Sequence, residues 1–98
     1  MTEVKTALWI AHVAVSDAEI YKQYAALATE AIAAHGGVFL ARGGAHRQME
    51  GQDRARNVVI RFPSLAAAVA CYRSPRYTEA LTYAARASVR DLVIVEEV

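Results

Sequence analysis

Apolar positions in "TALWIAHVAV", residues 6–15, alternate with a period of two, as a strand requires. Leu8, Ile10, His12 and Ala14 fall on one face, Trp9, Ala11, Val13 and Val15 on the other. Both faces are mostly apolar, so both are expected to be covered. The period then changes. After "SDAE", read as a capping box with Ser16 as N-cap and Glu19 three residues on, Ile20, Tyr24, Leu27 and Ala31 recur at helical spacing. Gly36 and Gly37 end that helix. "VFLAR" is a second strand, and "AHRQME" is expected to continue it past a break or bend at Gly43 and Gly44. "GQDRA" turns the chain into a third strand, "RNVVIRF", which Pro63 stops. Ser64 caps the alanine-rich "LAAAVACYR", Ser74 and Pro75 restart the helix over "TEALTYAARAS", and "DLVIVEEV" is the last strand.

The order β-α-β-β-α-β is the ferredoxin-like, split βαβ pattern of the α+β class: four antiparallel strands with the helices on one face. Its other face would carry Leu8, Ile10, Val59 and Leu40, too apolar to leave in water. A second copy related by two-fold symmetry is the simplest cover, so the expected assembly is a homodimer with sheets packed face to face, a dimeric α+β barrel.

Composition narrows the partners. At 98 residues the chain has room for one core, hence one domain over 1–98. Eleven Lys+Arg against ten Asp+Glu leave a net +1, which gives no reason to expect nucleic acid or an anionic membrane. Cys71 is the single cysteine and the first residues lack the layout of a secretory signal, so a cytoplasmic location is expected.

Candidate chemistry is sparse. "GGAHRQ" departs from P-loop spacing, and no helix begins behind Gly44 to aim amides at a phosphate. Arg42, beside the glycine pair, has the planar fork that suits a carboxylate, on a ligand or on a side chain such as Glu50. His12 shares a face with Ile10, where a histidine suits a proton shuttle as well as a hydrogen-bonded place in an interface. Tyr72 and Tyr77 flank the "RSP" break, where their hydroxyls would reach a pocket mouth, while Ser74 reads as a cap and not as a nucleophile. The three histidines have no HxxxH pairing and Cys71 has no companion, so no metal site and no cofactor is expected.

Taken together, "GGxFLARGG", "EG", "RxVVIxFPS", "YxSPxY" and "DLVIVE" resemble an uncharacterised family, a domain of unknown function, within the dimeric α+β barrel superfamily. The resemblance runs from "WIAHVAV" to "VIVEEV" and implies a ferredoxin-like monomer and a barrel-forming homodimer, with no activity attached. The superfamily includes cofactor-free monooxygenases, haem-degrading enzymes, lactone isomerases and amino-acid-sensing domains, and the fold alone transfers none of these. Similar sequences read "EFPS" where this one reads "RFPS", so Arg61 brings a cation beside Val59. The expected site is therefore a small-molecule pocket in the barrel lined by Ile10, His12, Leu40, Arg42, Arg61, Tyr72 and Tyr77. In it His12 would serve as base and Arg42 would hold an enolate or carboxylate in a cofactor-independent isomerisation or oxygenation. The alternative is a non-catalytic binding or assembly module with a filled interior.

Overall fold

Period-two alternation in β1 (Ala7–Val15) becomes an alternation of burial, with Ala7, Trp9, Ala11 and Val13 almost inaccessible and His12 exposed. The computed structural model describes residues 4–98. After β1 come α1 (Ala18–Ala34), β2 (Val38–Arg42), β3 (Arg56–Phe62), α2 (Leu65–Arg73), α3 (Pro75–Ala87) and β4 (Ser88–Glu96). The strands form one antiparallel sheet in the order β2-β3-β1-β4, and the helices lie on one face of it. This is the ferredoxin-like α+β arrangement expected from the pattern.

Local chemistry explains most boundaries. The α1 cap is Asp17 and not Ser16. An Asp17 carboxylate oxygen accepts the Ile20 N–H at 3.1 Å, while Ser16 uses its own N–H on the Ala87 carbonyl. Glu19 turns outward to Lys22 and makes no capping box. At the far end Gly36 adopts φ +79°, and the Gly36 and Gly37 N–H groups bond the carbonyls of Ala33 and Ile32, closing α1 in a Schellman motif. A Cβ on Gly37 would stand 2.6 Å from Ile32 and 2.9 Å from the Phe62 ring, so this pair is required by backbone conformation and by space. Ser64 and Ser74 cap α2 and α3 as expected, with Pro75 at the first turn.

Two expectations about strands are corrected. "AHRQME" is not a strand: residues 43–55 form an irregular excursion between β2 and β3, and Gly43 turns away with φ +71°. The irregularity in β2 falls earlier, between Phe39 and Ala41. Phe39 pairs with Ile60 and Ala41 with Val59, which leaves Leu40 as the extra residue of a bulge. β4 begins at Ser88, three residues before the expected start.

The core lies between sheet and helices. Trp9 stacks on Phe62 with centroids 5.6 Å apart and meets the Tyr77 edge at 5.0 Å. The opposite face lacks a cover. Leu8 and Ile10 are partly exposed there, in register with Val59, Val93 and Val95, and the last two keep 54% and 45% of their surface. The chain is a slab with a short principal extent of 17 Å, two layers and no third. Its accessible surface is 6257 Å². A compact monomer of this mass would show about 5500 Å², and the excess goes with the thin slab shape and the exposed 43–55 excursion.

Candidate functional site

On the helix face, β1 carries Val13 between two arginines, Arg56 across on β3 and Arg90 across on β4. Above them α1 presents Ala25, Ala28 and Thr29, small side chains that cannot fill the gap down to Val58 and Ile60. The result is a cleft of ≈ 30 Å³ between α1 and the sheet. Its walls are apolar apart from Thr29, the phenols of Tyr21 and Tyr24, and three guanidinium groups, those of Arg42, Arg56 and Arg90.

Arg90 is the best anchored of these. Its Nη2 donates to the hydroxyl oxygens of Tyr24 and Tyr77 at 2.8 Å each, and the two hydroxyls are themselves 2.8 Å apart. Burial, reinforced by the neighbouring Tyr77, pushes the Tyr24 phenol far above its ordinary pKa, while Arg90 pulls the other way. Burial raises Tyr77 as well, against the influence of Arg90. Burial opposes the Arg90 charge, but the tyrosine oxygens outweigh it and its pKa lies above the usual guanidinium value. Near neutral pH the cluster is thus two neutral phenols and one cation. It is rich in donors. One phenol proton serves the Tyr24–Tyr77 bond, and the other has no acceptor within the triad.

Each of the three arginines lies over an aromatic ring: Arg42 at 4.2 Å from the Phe39 centroid, Arg90 at 4.6 Å from Tyr24, Arg56 at 5.8 Å from Tyr21. Such contacts contribute roughly 0.5–2 kcal/mol and leave most N–H groups free. Arg42 donates once, to the Thr29 hydroxyl at 2.9 Å. The Nε atoms of Arg56 and Arg90 are buried without a hydrogen-bond partner.

The residues expected to form one site divide between the two faces of the sheet. His12, Ile10, Leu40 and Arg61 belong to the open side. His12 is exposed, its Nδ1 lies 2.6 Å from the Asn57 Oδ1, and Asp91 is its neighbour on β4. Arg61 binds Glu97 through Nε at 2.7 Å and Nη2 at 3.3 Å, so the unexpected cation has its own acid. Arg42, Tyr72 and Tyr77 belong to the helix side. The bulge at Leu40 turns Arg42 toward α1, so the expected partnership with His12 does not form. Glu50 is not its partner either. Tyr77 is fully buried, and Tyr72 packs against Trp9 and Tyr77 at a shallow groove with Val69, Leu92 and Ile94. Neither hydroxyl stands at the mouth of a pocket between sheets.

Arg56, Arg90 and Tyr24 are the functional candidates that reading the sequence passed over. The parity of "RNVVIRF" puts Arg56 with Val58 and Ile60, and that of "SVRDLVIVE" puts Arg90 with Leu92 and Ile94. A charged residue in phase with a core stripe was the available signal.

A four-stranded antiparallel sheet with its helices on one face defines a ferredoxin-like α+β protein. Within that class the chain belongs to the DUF1330 family, a domain of unknown function, whose pattern matches residues 6–98. It is similar in structure to the RPA0582 protein of unknown function from Rhodopseudomonas palustris, at 19% identity and TM-score 0.81, covering 98% of this chain and 85% of that one. It is also similar to SnoaB, a cofactor-independent oxygenase from Streptomyces nogalater, at 11% identity and TM-score 0.70 over 97% of this chain and 95% of that one. A third likeness is to a dimeric protein of unknown function and ferredoxin-like fold from Bacteroides fragilis, at 16% identity and TM-score 0.56 over 94% and 96% of the two chains. At these identities the likeness concerns the fold. No curated protein matches the sequence. Among the described residues no helix is long and apolar enough to cross a membrane.

Proposed function

We propose that this protein is a homodimeric α+β barrel that binds a small organic molecule in the cleft between α1 and the sheet of each protomer. The observation that carries the reading is the Arg90–Tyr24–Tyr77 cluster. A buried polar network costs stability unless every member is satisfied, and an apolar core of the same volume would serve folding as well. Here the network opens onto a cleft between apolar walls. That is the composition of a ligand site, apolar surface with a few convergent donors, and at ≈ 30 Å³ it admits only a small head group, so the rest of the ligand lies outside it.

The cleft can lower the energy of an oxyanion. The Tyr24 phenol and the Arg90 guanidinium directed at an enolate or phenolate oxygen would assist isomerisation or cofactor-independent oxygenation, and the fold of SnoaB is compatible with the latter. One observation favours binding without catalysis. No carboxylate, histidine or lysine lines the cleft among the described residues, and His12 lies on the other side of the sheet. A base is therefore lacking where the donors converge.

The test is amide NMR of the purified protein against a library of small aromatic and aliphatic compounds, charged and neutral. Shifts centred on Val13, Ala28 and Val58 are expected for at least one compound. Uniformly silent cleft resonances, with shifts elsewhere or nowhere, would overturn the reading.

A further inference from the structure

Among the described residues, every arginine with an acidic partner lies away from the cleft: Arg54 with Asp91, Arg61 with Glu97, Arg76 with Glu30. The three that line the cleft have none among the described residues. Arg42, Arg56 and Arg90 bring three positive charges to one small space, and together they donate only three hydrogen bonds to protein, to Thr29, Tyr24 and Tyr77. Each guanidinium has five N–H groups. A partly buried charge without a counter-charge is costly, which applies to Arg56 and Arg90, while Arg42 is exposed. Residues selected for packing alone would not converge in this way. The unpartnered Nε atoms of Arg56 and Arg90 identify where acceptors are missing.

On the small-molecule reading above, we infer that the ligand is an organic carboxylate, with its charged head among Arg42, Arg56 and Arg90 and its body outside the cleft, at the mouth beside Phe39 and the exposed Arg42. The fork of a guanidinium matches the two oxygens of a carboxylate, and the phenol proton left over by the Tyr24–Tyr77 bond adds a further donor. Size separates this head from a phosphate. A cleft of ≈ 30 Å³ takes about two water-sized groups, the number of oxygens in a carboxylate, and a tetrahedral phosphate brings four. The walls argue the same way, since apolar side chains favour a head joined to a hydrocarbon body over a fully hydrated inorganic ion.

The experiment compares benzoate, benzamide and inorganic phosphate, followed by amide shifts at Val13, Ala28 and Val58 and by Trp9 fluorescence. Benzoate and benzamide have nearly the same shape and differ in charge. Benzoate is expected to bind roughly tenfold or more tightly than benzamide, the margin of a charge-assisted hydrogen bond over a neutral one. Arg56→Gln should remove most of that margin. Arg42→Gln, at an exposed residue whose loss does not threaten the fold, should reduce it as well. Equal affinity for benzoate and benzamide overturns the carboxylate inference and leaves the pocket standing. So does phosphate binding tighter than benzoate, or benzoate affinity unchanged in both variants. If none of the three probes perturbs the cleft, the carboxylate inference fails. The pocket itself is then judged by the broader compound library.

Discussion

Replacing Ile10 by glutamate addresses the open face of the sheet directly. Ile10 lies on that face between Val59 and Val93, and it is partly exposed in the single chain. A glutamate there reaches water as long as the chain stays monomeric, so the fold should survive. When two sheets close face to face, the carboxylate loses its water and gains no designated partner, because Arg61 is already held by Glu97. Losing the isoleucine contact and desolvating an unpaired acid together cost about 2–3 kcal/mol per protomer. Two-fold symmetry doubles this to about 5 kcal/mol, a weakening of dimerisation by a factor on the order of a thousand. Sedimentation velocity across micromolar concentrations should show a wild-type dimer and an Ile10→Glu monomer with the same far-UV circular dichroism. Ala26→Glu, on the exposed side of α1, supplies the matching charge change and should remain dimeric. A wild-type protein that sediments as a monomer throughout, or an Ile10→Glu protein that pairs as tightly as wild type, would refute the reasoning.

Two further outcomes are expected. Asp17→Ala should lower stability by about 1 kcal/mol in urea denaturation, and Ser16→Ala should change it little, because the carboxylate and not the hydroxyl holds the first turn of α1. Cys71 is fully buried, and burial pushes its thiol up to about 11, so at pH 8 it should resist a thiol reagent such as Ellman's until denaturant is added.

The sequence made the fold legible wherever one physical rule acted alone. Alternation placed Trp9 inward and Ile10 outward, and Ser64 and Ser74 marked helix starts because a serine before an apolar helical run has few other uses. It was less legible where two rules competed. Ser16 and Asp17 are both good caps, and the backbone bonds from both residues to Ala87, a contact distant in sequence, accompany the choice of Asp17. The glycine pair after Arg42 drew attention to a bend at 43–44, while the register slipped three residues before Gly43 at a leucine, a residue type that gives no sign of a bulge. Parity counted through that leucine assigns Arg42 to the wrong face. The arginine cleft was obscured for a different reason. Its members come from three strands, and what sets Arg56 and Arg90 apart from ordinary surface arginines is a buried Nε without a partner, which only tertiary contacts reveal.

The extra residue in β2 works as a side selector. Deleting Leu40 would restore strict pairing and leave Arg42 where it is, opposite Val58 on the helix side, because Phe39 and Arg42 already pair with β3 residues two apart. Flattening the bulge while keeping the leucine would instead set Arg42 opposite Asn57, on the side where His12 stands. The leucine can thus be lost without moving the cation, whereas loss of the bulge alone would carry it through the sheet.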